Sequence, residues 1–139
     1  MRRLVLTVIL SMSLALGGMV PFSWAQGVQE KVKAASERAA KDYLTHGLML
    51  AGEGRDEAAA QSFRKAISLK PDWAEAHSLL GSALGRAGNL KEAEAELRKA
   101  VTLKPDYAEG WNYLGQFLKD NGKEKEAEAA FQKARQLAR

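Results

Sequence analysis

Residues 74–105, AEAHSLLGSALGRAGNLKEAEAELRKAVTLKP, are nearly repeated before and after themselves in the same chain. The shift that brings Gly47 onto Gly81 also brings Gly81 onto Gly115. Further residues that coincide at this shift are Gly54, Gly88 and Gly122; Ala59, Ala93 and Ala127; and Phe63, Leu97 and Phe131. A fixed period of roughly 20 to 50 residues indicates stacked structural repeats. The sequence therefore predicts a repeat architecture.

Each period contains two helix-length segments, which in the middle period are helix A at 74–86 and helix B at 90–103. Gly88 lies where helix A must end and reverse, and glycine is the residue that favours a left-handed C-cap. Pro71 and Pro105 lack a backbone N–H group and therefore end the B helices. Gly81 and Ala93 lack side-chain bulk, which predicts a close approach of helices A and B.

Polar residues stand before three of the predicted helices. Capping-box-like spacing before the A helices predicts an acid at the positive end of each, and Asn89 is expected to start helix B. The pairs are Asp72 with Glu75, Asp106 with Glu109, and Asn89 with Glu92.

The spacing Trp111-x2-Leu114-Gly115-x2-Leu118, followed by Ala127-x3-Phe131 and Ala134, resembles the tetratricopeptide repeat (TPR) signature. The middle and first units match at most of the same places, with His77 where a large aromatic is usual and His46 where leucine is usual. The resemblance implies an all-α, right-handed superhelical solenoid of three helix-turn-helix repeats preceded by an N-terminal helix. The implied repeats are residues 40–73, 74–107 and 108–139.

Residues 1–25 differ from the rest of the chain. Arg2 and Arg3 precede an apolar run, and Ser23-Trp24-Ala25 ends it with small residues around the tryptophan. These parts are typical of a secretory signal peptide cleaved after Ala25. The alternative is an uncleaved inner-membrane anchor whose remainder faces the periplasm. Both interpretations predict an exported protein, with the bacterial periplasm as the favoured compartment.

Residues 26–39 form a predicted helical extension of the first repeat. Val28, Val32, Ala35 and Ala39 recur at three- and four-residue spacing and share one helical face. One long helix is favoured over a short helix that joins the repeat near Ser36. The segment is expected either to cap the start of the stack or to dock in its groove.

The composition argues against an enzyme and against several classes of ligand. The chain has no cysteine, which excludes disulfides, thiol catalysis and thiolate metal sites. His46 and His77 occupy core-type positions without a second histidine at helical ligand spacing, so we predict no metal site and no cofactor. Without Arg2 and Arg3, 19 basic residues face 17 acidic ones. That near-neutral balance gives no reason to expect nucleic acid or a lipid surface as partner.

The resemblance also implies a concave groove lined by the A helices. The groove residues predicted to bind a partner are Lys41, Leu44, Leu48, Ser78, Ser82, Arg86, Asn112, Gln116 and Lys119. Leu44 and Leu48 either seat an apolar anchor or pack against the chain's own N-terminal segment. They also occupy places where some family members hold a chaperone's terminal carboxylate with lysine and asparagine, so that clamp is not expected here.

The predicted function is a protein–protein interaction scaffold or assembly factor of the cell envelope that binds a peptide segment or partner helix. The alternatives are a membrane-anchored adaptor or a self-associating unit. Self-association, as a homodimer, would use an uncovered face of the last helix, formed by Phe131, Ala134 and Leu137.

Overall fold

A computed structural model describes residues 22–139, which form six α-helices and no strand in that range. The helices are α1 (Phe22–Gly52), α2 (Asp56–Leu69), α3 (Ala74–Arg86), α4 (Leu90–Leu103), α5 (Ala108–Asp120) and α6 (Glu124–Leu137). The observed ends of α3 and α4 match the predicted helices at 74–86 and 90–103. Most of the predicted signal peptide, residues 1–21, lies outside the described part of the chain. None of the six helices has a stretch that is long and apolar enough to cross a membrane.

The chain divides into two units, Met1–Ala35 and Ser36–Arg139. In the first unit the described residues 22–35 are helical, and the side chains of Trp24, Val28 and Val32 are exposed. The second unit contains three helix pairs: the later part of α1 with α2, α3 with α4, and α5 with α6. Helix α1 continues without interruption from Phe22 to Gly52, as the interpretation of one long helix predicted.

Three glycines with positive φ reverse the chain after each A helix. Gly54, Gly88 and Gly122 have φ angles of 73°, 87° and 73°. After α3, the Gly88 N–H donates to the Gly85 carbonyl at 3.2 Å and the Asn89 N–H donates to the Leu84 carbonyl at 2.9 Å. This pair of bonds is a Schellman motif, which satisfies carbonyls that the helix end leaves free. The predicted glycine caps are confirmed.

A second set of glycines lets the two helices of each repeat touch. A Cβ atom at Gly81 would lie 2.6 Å from Leu97 Cγ and 2.9 Å from the Ala93 carbonyl oxygen. At Gly47 and Gly115 the obstructing groups are the rings of Phe63 and Phe131. The largest apolar side chain of each helix B therefore packs against a glycine of helix A. This close approach is what the small residues predicted.

The acids Glu75, Glu92 and Glu109 lie in the first turns of α3, α4 and α5 as predicted, but no side-chain cap hydrogen bond forms at these helix starts. Helix α3 begins one residue later than its box requires, with Trp73 at the N-cap and no side-chain cap hydrogen bond. Glu75 instead accepts a hydrogen bond from Lys104 Nζ at 3.0 Å. Tyr107 takes the same place before α5. Asn89 is the N-cap of α4, but its ψ of 63° lies outside the extended region in which a cap side chain reaches the first turn.

Two apolar clusters form the core of the stack. One centres on Phe63, Leu80 and Leu84, and the other on Leu97 and Leu118. Helix α3 also contacts α5, so A helices of successive repeats are neighbours.

Ion pairs one period apart join the B helices on the surface. Arg64 pairs with Glu92 at 2.7 Å, and Arg98 pairs with Glu126 at 2.6 Å. The repeats are therefore stacked on apolar packing and aligned by a repeated surface pair.

Candidate functional site

A small cavity of about 260 Å³ opens on the side of the stack formed by the A helices. Residues of α1, α3 and α5 surround it, and one ring from α2 lies at its base. Its lining residues are Leu48, Ala51, Phe63, Leu79, Ser82, Arg86 and Tyr113. All of them belong to the unit Ser36–Arg139. We call this cavity the groove pocket.

Three of the predicted groove residues line the groove pocket: Leu48, Ser82 and Arg86. The exposed members of the predicted set are Lys41, Leu48, Arg86, Asn112, Gln116 and Lys119. Leu44 is half-buried and packs against the core cluster around Phe63. The structure therefore brings part of the predicted set together and leaves the others around it.

Ser78 is a wrong member of the predicted set because its side chain has no exposed surface. Its hydroxyl donates to the Ala74 carbonyl at 3.2 Å, within its own helix. A Cβ on Gly110 would come within 3.4 Å of the same hydroxyl, so α5 lies directly over this serine. The fifth place of this repeat faces the next A helix and cannot meet a partner.

Arg86 is the only charged residue in the lining, and its charge is balanced. Its Nη2 lies 2.6 Å from Asp56 Oδ1, and its Nε donates to the same oxygen at 2.8 Å. Its Nη1 donates to the Ser82 hydroxyl at 3.0 Å. These bonds fix the guanidinium at the rim of the groove pocket and leave no uncompensated charge there.

Two amides on α5 provide polar contacts beside the groove pocket. Asn112 is exposed, and Gln116 donates an amide hydrogen to Asp120 Oδ1 at 2.7 Å. The Gln116 side chain keeps its carbonyl oxygen and a second hydrogen for other partners. Asn112, Tyr113 and Gln116 lie on neighbouring turns of one helix face, since residues three and four apart share a face.

The prediction missed Leu79 and Tyr113. Both occupy the sixth place of a repeat, where the first repeat has Thr45. The sequence contained a signal for these two residues, because the sixth place is apolar in the second and third repeats but not in the first. Phe63 is buried in the core, and it also lines the groove pocket.

His77 is a structural residue, as predicted, and only 1% of its side chain is exposed. Its Nε2 lies 2.8 Å from the Pro71 carbonyl oxygen, and its Nδ1 lies 2.5 Å from Glu96 Oε2. The hydrogen bond from His77 lowers the pKa of the Glu96 carboxyl, and burial opposes that shift in part. This pair ties α3 to α4 and to the turn before α3.

His46 is exposed, although it stands at a core-type place of the repeat. The same place in the second repeat holds Leu80, which is buried against residues of α2. Within residues 36–139 no earlier helix covers this face of α1, so a polar ring is tolerated there. His46 Nδ1 lies 3.2 Å from the Ser62 hydroxyl. No group of three or more potential metal-binding side chains occurs within residues 22–139.

The residues predicted for self-association are partly or fully buried. Ala134 is buried, and the Phe131 ring lies against Gly115 of α5. Phe131 and Leu137 are half-buried. Self-association through them stays a prediction, with little free surface available from Ala134.

Tandem helix pairs joined by glycine turns define a helical repeat protein. A family model described as a tetratricopeptide repeat matches residues 78–139, and a second, described as a TPR repeat, matches residues 47–88. The chain belongs to the tetratricopeptide repeat family. The comparison with curated proteins gave no match.

Solved structures share this fold at low sequence identity. MamA superimposes with a TM-score of 0.65 and 24% identity over 72% of this chain, and this chain spans 58% of the MamA chain. The second TPR of Spaghetti (RPAP3), bound to the HSP90 peptide SRMEEVD, gives 0.70 and 20% identity, covering 77% of this chain and 98% of that one. The Arabidopsis OM64 TPR domain gives 0.69 and 20%, covering 73% and 84%. These likenesses show the fold.

Proposed function

We propose that this protein is an exported protein–protein interaction scaffold that binds a segment of a partner on its A-helix side. The observation that carries the proposal is the groove pocket, which gathers exposed side chains from the A helices of all three repeats. TPR proteins are in general scaffolds without catalytic activity, and a fold neighbour has been solved with a bound peptide. Function follows from the site, so the groove pocket and the amides beside it define the binding surface.

The proposed compartment is the bacterial cell envelope. The basic start, the apolar run and the small residues around Trp24 support a signal for export, cleaved after Ala25. Within this compartment the protein would assist the assembly of an envelope complex by holding one component. Retention of residues 1–25 as an inner-membrane anchor would place the same scaffold on the periplasmic face.

Site-specific crosslinking tests the binding surface. The chain has no cysteine, so Ser82→Cys introduces a unique thiol in the groove pocket for a photo-crosslinker. Ala95→Cys is the matched control, because Ala95 is exposed on a helix B. We expect a defined crosslinked product from position 82 and not from position 95. Equal products from both positions would contradict a partner site on the A-helix side.

A double variant tests the polar contacts. Asn112→Ala combined with Gln116→Ala is expected to weaken partner capture while leaving the helical circular dichroism signal intact, because both side chains are exposed. Unchanged capture would mean that the amides of α5 do not contact the partner.

Cell fractionation tests the compartment. Mass spectrometry of the N-terminus is expected to give Gln26 as the first residue of the protein in the periplasmic fraction. A protein that stays in the cytosol with Met1 intact would refute export. An intact N-terminus in the membrane fraction would favour the anchored form.

A further inference from the structure

We propose that the groove pocket binds one large, uncharged side chain of the partner segment, such as leucine, methionine or phenylalanine. The inference rests on the proposed function and specifies the chemistry of the partner at that same site. It is carried by the lining, the charge balance and the size of the groove pocket.

The walls of the groove pocket are mainly apolar. Five of its seven lining residues are aliphatic or aromatic: Leu48, Ala51, Phe63, Leu79 and Tyr113. Leu48 is 45% exposed and Tyr113 is 37% exposed, so both retain apolar surface that a partner could remove from water. Burial of such surface yields about 25 cal/mol per Å². An apolar group therefore gains free energy in this site.

The charges at the rim select against a carboxylate. Asp56 already neutralises Arg86 through one hydrogen bond from Nε and an ion-pair contact with Nη2, and the third arginine nitrogen donates to Ser82. A carboxylate from a partner would have to displace Asp56 or sit beside it, and either arrangement costs electrostatic free energy. No other cation lines the groove pocket. An uncharged side chain neither displaces Asp56 nor is repelled by it.

The volume of the groove pocket is sufficient for one large side chain. Pockets for drug-sized ligands measure about 300–1,000 Å³. A cavity of about 150 Å³ in an engineered protein already accommodates benzene. The observed volume of about 260 Å³ therefore suffices for one aromatic or branched aliphatic side chain. Asn112 and Gln116, one turn apart beside Tyr113, lie where they can hydrogen-bond the backbone of the segment that presents it.

Selection from a displayed library of random ten-residue peptides, with the full chain as target, tests the inference. We expect enriched peptides to share one large apolar residue, and replacement of that residue by alanine or glutamate to weaken binding at least tenfold. Leu48→Ser and Tyr113→Ala should each weaken the same peptides at least tenfold in fluorescence anisotropy. Leu90→Ser is the matched control, because Leu90 is 47% exposed at the start of α4, outside the groove pocket, and its loss should leave binding unchanged.

Three outcomes would overturn the inference. One is that no peptide is enriched. Another is enrichment of peptides that need a free terminal carboxylate, for which SRMEEVD serves as reference probe. The third is equal affinity for Leu48→Ser, Tyr113→Ala and the parent chain. Crosslinking from position 82 would still succeed in these cases if the proposed function holds, so the two failures are distinguishable. Circular dichroism of each variant confirms that the helices are retained.

Discussion

Replacement of Gly81 by alanine should destabilise the stack although alanine is the better helix former. A Cβ at this position would lie 2.6 Å from Leu97 Cγ and 2.9 Å from the carbonyl oxygen of Ala93. Leu97 is completely buried, and the carbonyl belongs to helix α4, so neither can retreat without moving the helix. The clash is therefore absorbed by separation of α3 from α4.

The magnitude follows from two opposing effects. Overpacking of a well-packed core costs about 1–3 kcal/mol. The higher helix propensity of alanine relative to glycine stabilises the helix by about 1 kcal/mol. The free energy of unfolding should therefore fall by up to about 2 kcal/mol, which corresponds to a drop in Tm of up to roughly 10 °C for a domain of this size.

Gly85→Ala provides the matched control in the same helix. The nearest atom to its added Cβ would be Phe117 Cδ2 at 3.2 Å, on a half-buried ring that can shift by a few tenths of an ångström. We expect its Tm to remain within about 3 °C of the parent, or to rise, because the propensity gain is not opposed by backbone. Thermal and urea unfolding followed by circular dichroism measures both variants. A Gly81→Ala protein as stable as Gly85→Ala would refute the proposed close contact of α3 with α4.

Further predictions address the buried pair, a turn and a helix start. Glu96→Gln should lower stability near pH 7. Because the folded pKa of Glu96 is depressed, its contribution is present above the unfolded pKa of about 4.3 and is lost as pH falls through the folded value. The difference between parent and variant in urea midpoint should therefore shrink below about pH 4, and a constant difference would contradict the pairing with His77. Gly88→Ala should cost about 1–2 kcal/mol of unfolding free energy, since φ at this position is 87° and an added Cβ meets no atom within 4 Å. Gly88→Asn should cost less, and an equal loss in both variants would argue against a left-handed cap. Asp72→Ala should change the free energy of unfolding by less than about 0.5 kcal/mol, because Asp72 precedes the N-cap Trp73 and makes no cap bond; a loss of about 1 kcal/mol would restore the capping box.

The helix ends were predictable because they are encoded locally. Gly88 adopts a positive φ that other residues avoid, and Pro105 cannot donate a backbone hydrogen bond, so each marks a boundary regardless of the surroundings. The contact between helices A and B was also predictable, because Gly81 has no side chain and therefore allows the second helix to approach closely.

The side-chain contacts at the helix starts were not predictable from local rules. Trp73 is half-buried, and Lys70 Nζ lies 4.7 Å from its ring centroid. Tyr107 repeats this arrangement with Lys104, and burial raises its pKa to about 12. An aromatic residue at the repeat junction thus occupies the N-cap place of both helices. The tertiary contact at the start of α3 is the hydrogen bond from Lys104 to Glu75, which engages the glutamate that the capping-box spacing singled out.

The departure at His77 shows how a repeat tolerates an unusual residue. Trp111, one period later, donates its ring N–H to the Pro105 carbonyl at 2.9 Å, and His77 Nε2 meets the Pro71 carbonyl at 2.8 Å. Both repeats therefore place a ring nitrogen six residues after the proline, where it can hydrogen-bond the proline carbonyl. The second bond of His77 goes to Glu96, and nothing in the spacing along the chain predicts it.

The groove pocket was only partly predictable because no single repeat contains it. Leu48, Ser82 and Gln116 share the ninth place of successive repeats, whereas Leu79 and Tyr113 share the sixth. Residues that are the same at equivalent places of the repeats are those that each repeat needs for its packing. A binding site needs different residues at equivalent places, because its surface crosses from one repeat to the next. Leu48 and Tyr113 meet around one cavity since stacking brings the ninth place of one A helix toward the sixth place of another. Departures from the repeat on the A-helix side are thus the positions at which recognition of a partner is expected to reside.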